Sequence, residues 1–118
     1  MRAVLDACVL YPTVLREILL GVAARGLYEP LWSDRILREW TRAADKIGPG
    51  AMLQAEGEAV LARAAFPRAT LREQPNIEAR VSLPDPNDEH VLAVAIAGHA
   101  DAIVTFNAQD FPRPVLAE

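Results

Sequence analysis

Cysteine, lysine and long apolar runs are scarce in this chain of 118 residues. Cys8 is the single cysteine, so no internal disulfide can form, which fits a reducing compartment. No apolar run reaches the roughly 18 residues of a membrane-spanning helix. Asp6 also interrupts the apolar stretch that a signal peptide would need near the N-terminus. We therefore expect a cytoplasmic protein that has no membrane partner.

Arginine supplies almost all of the positive charge, because Lys46 is the only lysine among the 12 basic residues. Arginine suits bidentate contacts with phosphate, although the codon usage of a GC-rich genome would produce the same bias. The net charge of -4 argues against a protein that coats nucleic acid through charge alone. A hydrophobic content of 52% argues against disorder. The length fits a single domain over residues 1–118.

Hydrophobic periodicity predicts the order strand, helix, helix, helix, strand, helix, strand. The first strand covers residues 3–5 and the last covers residues 102–105, which are apolar on both faces, as in the centre of a parallel sheet. Pro30 interrupts residues 28–32, which we interpret as a turn into the next helix. The order is typical of an α/β fold with a small parallel sheet flanked by helices.

The first two predicted helices each have an apolar side. In the first, which begins near Thr13, that side consists of Val14, Leu15, Ile18, Leu19 and Val22. In the second, which begins at Ser33 and Asp34, it consists of Ile36, Leu37, Trp40, Ala44 and Ile47. The opposite side of the second helix carries Arg35, Arg38 and Arg42. Glu39 falls on the flank, where a carboxylate can reach over the edge of a sheet.

Four acidic residues come from four separate segments of the chain. Asp6 ends the first strand, and Glu39 lies on the helix flank. Asp88 lies in the first turn of the last helix, and Asp110 follows the last strand. In open parallel sheets, functional groups gather beyond the carboxyl ends of the strands. Crowded carboxylates repel one another, and a hard cation such as Mg²⁺ or Mn²⁺ usually neutralises them. The pattern favours metal-assisted phosphodiester hydrolysis, which needs activated water and charge neutralisation.

Most of these residues also have a purely structural explanation. Asp88 can favour the helix dipole, Glu39 can be a solvated helix residue, and Asn107 and Asp110 can be turn residues. Asp6 is the hardest to explain in this way, because a charge at the end of a buried strand needs a partner.

The remaining polar residues suggest no other chemistry. Asp85 is interpreted as a helix N-cap, His90 as a surface residue and Cys8 as a small apolar one. Neither His90 nor His99 has a nucleophile at a recognisable spacing, so no Ser-His-Asp or Cys-His set competes. The three arginines form either an exposed face paired with Glu39 or a set of phosphate contacts.

Four segments, in this order, resemble the PIN domain family. Residues 4–10, VLDACVL, resemble the opening strand of that family, which ends in a catalytic Asp. Residues 32–40, WSDRILREW, resemble its second acidic element, and residues 88–95, DEHVLAVA, resemble the Asp and Ala-rich helix of the third. Residues 105–111, TFNAQDF, resemble the segment after the fourth strand. One such segment is a weak signal, whereas four in order are specific.

The resemblance is closest to the VapC-like branch of PIN domains. It implies a three-layer α/β/α fold and a Mg²⁺- or Mn²⁺-dependent endoribonuclease. The implied catalytic residues are Asp6, Glu39, Asp88 and Asp110, and the implied metal ligands are Asp6, Glu39, Asp88 and Asn107. The implied partners are RNA, an antitoxin protein and a second copy of the chain. For RNA binding, the best candidates in the sequence are Arg35, Arg38 and Arg42.

Two features depart from the family pattern. Asn107 stands where many PIN domains carry a fourth acid, and its neutral carbonyl would weaken a second metal. The chain also ends soon after the last predicted strand, so we expect a shortened form without the final strand and C-terminal helix.

Other classes fit the sequence less well. A response-regulator receiver would need an acidic pair after the first strand and a lysine after the last, and Lys46 lies in a predicted helix. A haloacid-dehalogenase-type phosphatase would need Asp-x-Asp, but position 8 is Cys8. The remaining alternative is a PIN-like scaffold that binds a partner protein and is catalytically weak or inactive.

Overall fold

The computed structural model describes residues 1–107, which contain four strands and six α-helices. The strands are β1 (Arg2–Leu5), β2 (Glu29–Ser33), β3 (Thr70–Leu71) and β4 (Ala102–Val104). The helices are α1 (Ala7–Leu10), α2 (Thr13–Ala24), α3 (Asp34–Ala44), α4 (Ala51–Ala65), α5 (Pro75–Glu78) and α6 (Glu89–Ala97). Short 3₁₀ helices cover Asp45–Ile47 and Pro86–Asp88. None of the helices in this part of the chain is long and apolar enough to cross a membrane.

All strand pairs in the described sheet are parallel, and the strand order is β3-β2-β1-β4. Helices flank this sheet, which confirms the predicted α/β/α arrangement of a small parallel sheet. Strand β1 lies inside the sheet, and Ala3, Val4 and Leu5 are completely buried. Strand β4 lies at an edge of the sheet within residues 1–107, and its residues are half-buried. The expectation that this strand is central was therefore wrong for the described sheet.

Residues 29–33 form a strand, so the prediction of a turn there was wrong. The N–H of Glu29 donates to Met1 O at 2.8 Å, which directs the next residue, Pro30, away from β1. On the side away from β1, strand β3 pairs only with Trp32 and Ser33. No residue of β3 lies opposite Pro30, so the lack of an N–H at Pro30 costs the sheet no hydrogen bond. A proline is tolerated in a strand where no ladder bond is required of it.

Helix α3 begins as predicted, because the Ser33 side chain accepts a hydrogen bond from the N–H of Ile36 at 3.2 Å. Its buried stripe consists of Ile36, Leu37, Trp40, Thr41 and Ala44. Ile47 is 67% exposed, because the chain has already tightened into a 3₁₀ turn at that point. Helix α4 lies between Gly50 and Phe66, which flank its two ends.

Helix α2 departs from its predicted apolar face. Leu15 and Leu19 pack against the core, whereas Val14 and Ile18 are exposed to 70% and 56%. The helix instead buries the side chain of Arg16, so that the charged residue and not Val14 or Ile18 faces the interior. Gly26, with a φ of 78°, follows the end of this helix.

The direction of α6 follows from its two ends. Asp85 caps the preceding 3₁₀ turn by accepting from the N–H of Asn87 at 2.9 Å, so the predicted single helix is a 3₁₀ turn followed by α6. At the far end, the carbonyl of Gly98 accepts from Nη1 of Arg2, the first residue of β1. Because α6 ends at the amino edge of the sheet, it begins at the carboxyl edge. Asp88, which directly precedes α6, therefore lies at the carboxyl edge of the sheet, as Asp6 does.

Candidate active site

Asp6 follows β1 directly and is only 5% exposed. One oxygen, Oδ1, accepts from the N–H of Ala7 at 2.7 Å and so caps the short helix α1. The other oxygen, Oδ2, accepts from the hydroxyl of Thr105 at 2.9 Å. Thr105 follows β4, which pairs with β1, so the parallel register brings these two residues together. The structure thus fixes the orientation of the Asp6 carboxylate at the carboxyl edge of the sheet.

Cys8 lies against the same carboxylate. Its Sγ is 3.7 Å from Asp6 Oδ2 and 3.4 Å from Thr105 Oγ1, and it accepts from the N–H of Phe106 at 3.3 Å. Burial is the main reason why the pKa of this thiol is raised above its usual value, and the contact with Thr105 opposes that change. Cys8 is therefore a protonated thiol in a polar cluster rather than only a small apolar residue.

Asn107 belongs to the same end of β4. Its N–H donates to Thr105 Oγ1 at 3.0 Å, so a side-chain hydroxyl holds the bend at Phe106 that follows the strand. Thr105 therefore donates to Asp6 and accepts from Asn107 at the same time. Asp110 lies outside the described residues.

Glu39 lies in the second turn of α3 with a half-exposed side chain, as predicted for a residue on the helix flank. Its Oε1 is 2.8 Å from Nε2 of His90 on α6. The expected pairing of Glu39 with the arginines on its own helix was wrong, because Glu39 contacts the imidazole of His90 on α6 instead.

His90 is 3% exposed, so its interpretation as a surface residue was wrong. It is the second residue of α6, and it lies among the buried side chains with which that helix covers the sheet. Although Nε2 is close to Glu39, the contact lacks the alignment of a hydrogen bond. Neither ring nitrogen has a well-aligned partner within residues 1–107. Asp88, two residues earlier, is half-buried.

The three candidate RNA-binding arginines line one cavity of about 440 Å³ together with Glu39 and Glu73. Arg35 forms an ion pair with Glu78 at 3.3 Å, and Arg38 forms one with Glu73 at 3.0 Å. Both acids come from the segment around α5. The arginines are therefore adjacent to Glu39, but two of them are paired with acids of the chain itself.

Oxygen donors at Asp6, Glu39 and Asp88 suit a hard divalent cation. Within residues 1–107, however, no three His, Cys, Asp or Glu side chains lie close enough together to hold an ion. The topology places all three acids at the carboxyl edge of the sheet, and their assignment as metal ligands stays a prediction.

Sequence reasoning missed two residues of this site, Thr105 and His90. Thr105 was visible as a polar residue directly after a strand, the same position that made Asp6 conspicuous. His90 was visible as a polar residue on a helix that is apolar nearly all round, and a polar group on such a helix is buried and needs a partner.

Comparison with known protein families gives a match over most of the chain. A family model described as PIN domain matches residues 2–109. No curated protein and no solved structure matches the chain significantly.

Proposed function

Since the chain belongs to the PIN domain family, we propose that it is an endoribonuclease that depends on Mg²⁺ or Mn²⁺ and hydrolyses phosphodiester bonds in single-stranded RNA. PIN domains are in general metal-dependent nucleases, so the family itself makes this a nuclease-type domain. RNA as the substrate, the identity of the ion and the residues that bind it are the parts that we propose.

The buried carboxylate of Asp6 is the observation that supports this proposal most strongly. It is 5% exposed and lies where the ends of β1 and β4 meet. Hydrogen bonds from Ala7 and Thr105 orient it but do not neutralise its charge. A buried charge is costly unless it is paired or binds a metal, so this position favours a cation.

The proposed roles of the other residues follow from their positions. Glu39 and Asp88 would complete the acidic ligand set with Asp6, and Asn107 would add a neutral carbonyl. The bound cation would activate the attacking water and offset charge on the phosphate. We also assign a catalytic role to Asp110, on the resemblance of its segment alone. Thr105 would keep Asp6 oriented through its hydroxyl.

Arg35, Arg38 and Arg42 would guide the RNA backbone toward Glu39, with which they share a cavity. The ion pairs of Arg35 and Arg38 with Glu78 and Glu73 join partly exposed groups. Such pairs contribute only about 0–1 kcal/mol. A phosphate could therefore replace either acid at little cost.

The biological role that we propose is that of the toxin in a toxin–antitoxin pair, located in the cytoplasm. It rests on the resemblance of the four motifs to the VapC-like branch, and it implies an antitoxin protein and a homodimer as partners. Co-expression with the product of a small gene directly upstream tests it. Suppression of both toxicity and RNA cleavage is the expected result, and unchanged cleavage would contradict it.

A catalytically weak scaffold that binds a partner protein is the second candidate. One observation favours it, which is that no ion-binding group of three side chains is assembled within the described residues. The neutral Asn107 in place of a fourth acid points the same way.

Cleavage of single-stranded RNA by the wild-type chain and by Asp6→Asn tests the proposal. The amide keeps the shape of the carboxylate and one acceptor oxygen, so the variant is expected to fold. We expect Mn²⁺-dependent cleavage that EDTA abolishes, and a loss of about a hundredfold or more in Asp6→Asn, because the charge stabilisation at stake is several kcal/mol.

Asp45→Asn is the matched control, because Asp45 is exposed at the end of α3. It should cleave like the wild type. Cleavage that survives EDTA, or that survives in Asp6→Asn, would refute the metal-dependent mechanism. An inactive wild type that still binds a partner would favour the scaffold.

A further inference from the structure

The contact between Glu39 and His90 joins two helices that approach each other only in the folded protein. Glu39 Oε1 and His90 Nε2 are 2.8 Å apart. The histidine side chain is 3% exposed, whereas the glutamate side chain is 41% exposed. A buried ring held by its helix thus touches one oxygen of a half-exposed carboxylate.

Burial of His90 has a cost that the described contacts do not offset. Nδ1 and Nε2 are both buried without a well-aligned hydrogen bond within residues 1–107. A buried polar group without a hydrogen bond destabilises the folded protein. An apolar residue would fill the same place on α6 without that cost, as Val91 and Val94 do nearby.

At 2.8 Å the two atoms are already within hydrogen-bond distance, so alignment of the contact needs a change of angle and not of distance. Hydrogen bonds in active sites are often poorly aligned in the absence of ligand and tighten once it is bound. The Nε2–H of His90 would then hold Oε1 and turn Oε2 toward the carboxyl edge of the sheet. Outer groups that hold a ligating carboxylate in this way are worth about 10–100-fold in metal affinity.

We propose that His90 is a positioning residue, which holds the Glu39 carboxylate in the orientation that presents its second oxygen to a divalent cation. The inference rests on the proposed function, because it presumes that Glu39 is a metal ligand. It assigns His90 a role through Glu39 and no contact with RNA or with the reacting atoms.

A pair of neutral amides of different length tests this role. In His90→Gln the amide nitrogen reaches the place of Nε2, whereas in His90→Asn it stops near the place of Nδ1. Mn²⁺ affinity is measured by calorimetry on the full chain without RNA. We expect the Gln variant to stay within about threefold of the wild type and the Asn variant to bind about tenfold more weakly or worse. Equal affinities for the two variants would overturn the proposal.

Combination with Glu39→Gln separates positioning from a general effect on the fold. If His90 acts through Glu39, His90→Asn should weaken Mn²⁺ binding by less than about twofold when Glu39→Gln is already present, because interacting residues are not additive. Full additivity would overturn the proposal. If the Asn variant does not fold, His90→Leu, which also lacks the donor, takes its place in both comparisons.

Two controls identify the source of any failure. His99→Asn removes the other histidine, which is exposed and adjoins the amino edge of the sheet, and it should bind Mn²⁺ like the wild type. Asp6→Asn reports on the site itself. If Asp6→Asn and the wild type both bind no Mn²⁺, the proposed function fails and the role of His90 fails with it. If Asp6→Asn alone loses binding while both His90 variants keep it, only the role of His90 is refuted.

Discussion

Arg16 is a charged residue that contributes to the core rather than to the surface. Its Nη1 donates to the carbonyls of Leu10 and Tyr11 at 2.7 and 3.1 Å, and its Nη2 donates to Glu58 at 2.8 Å. The guanidinium group also lies 4.8 Å from the centre of the Trp40 ring. One side chain thereby joins the end of α1 to α3 and α4, next to the segment that begins with Asp6.

Arg16→Ala should lower the free energy of unfolding by about 2–4 kcal/mol, because it leaves buried carbonyl groups without donors and opens a cavity against Trp40. Chemical denaturation measures the change. Arg25→Ala is the control, because Arg25 is exposed just after α2 and should change stability by no more than about 0.5 kcal/mol. Equal effects of the two substitutions would show that the interior contacts of Arg16 contribute little.

Two glycines differ in the space that a methyl group would find. At Gly98, after α6, an added Cβ would lie 2.6 Å from Leu71 Cδ1, 3.0 Å from Leu31 Cδ1 and 3.2 Å from the Val94 carbonyl oxygen. At Gly57, inside α4, no atom lies within 4 Å of such a Cβ. The first glycine permits close packing of α6 on the sheet, and the second lies on the exposed side of α4, where it only loosens the helix.

Gly98→Ala should destabilise the protein by about 1–3 kcal/mol through overpacking. Gly57→Ala should stabilise it by about 0.5–1 kcal/mol, because alanine restricts the unfolded chain and favours the helix. Thermal unfolding of both variants measures the two signs. A Gly98 variant as stable as the wild type would mean that the leucine side chains move aside freely.

Helix α3 carries the arginines through which we expect RNA to bind. Replacement of Arg35, Arg38 and Arg42 by Ala should weaken binding with little dependence on RNA sequence. It should also flatten the plot of log binding constant against log salt, by about 0.7 for each phosphate that the protein no longer neutralises. Fluorescence anisotropy with a labelled single strand measures that slope in the presence of EDTA, so that binding is observed without cleavage.

Arg25 and Arg68 provide the control for this slope, because both are exposed and precede β2 and β3, at the amino edge of the sheet. Their replacement by Ala should leave the slope almost unchanged. If the α3 variant keeps the wild-type slope, those arginines form a solvated face and the RNA takes another path.

Local chemistry made much of this fold predictable from the sequence. Ser33 marks the start of α3 because its side chain caps the helix, and the glycines near residue 50 mark the start of α4. Strand β2 could not be read in the same way, since Pro30 is acceptable there only because β3 is too short to need its N–H. That reason lies in the neighbouring strand and not in residues 28–32.

In the candidate site, too, the features set by local sequence were predictable and those set by tertiary packing were not. Asp6 was predictable, because a carboxylate directly after an apolar strand has few structural explanations. The contact of Glu39 with His90 was not, because it depends on how α3 and α6 are placed against the sheet. Pairing within a helix follows from spacing, whereas pairing between helices requires the tertiary structure.

At the scale of the whole molecule, parallel topology explains why distant segments meet. Every described strand points the same way, so the residues that follow β1, β2 and β4 emerge at one edge, and α6 begins there too. We propose that this edge holds a divalent cation on the carboxylates of Asp6, Glu39 and Asp88.

Anomalous diffraction from a crystal soaked in Mn²⁺ tests that claim most directly, because the position of the ion is observed rather than inferred from activity. We expect a peak at the carboxyl edge of the sheet, with an oxygen of Asp6 and an oxygen of Glu39 or Asp88 as ligands at about 2.0–2.2 Å, close to the distances found for small divalent cations. A peak elsewhere on the protein, or no peak near Asp6 at saturating Mn²⁺, would contradict it.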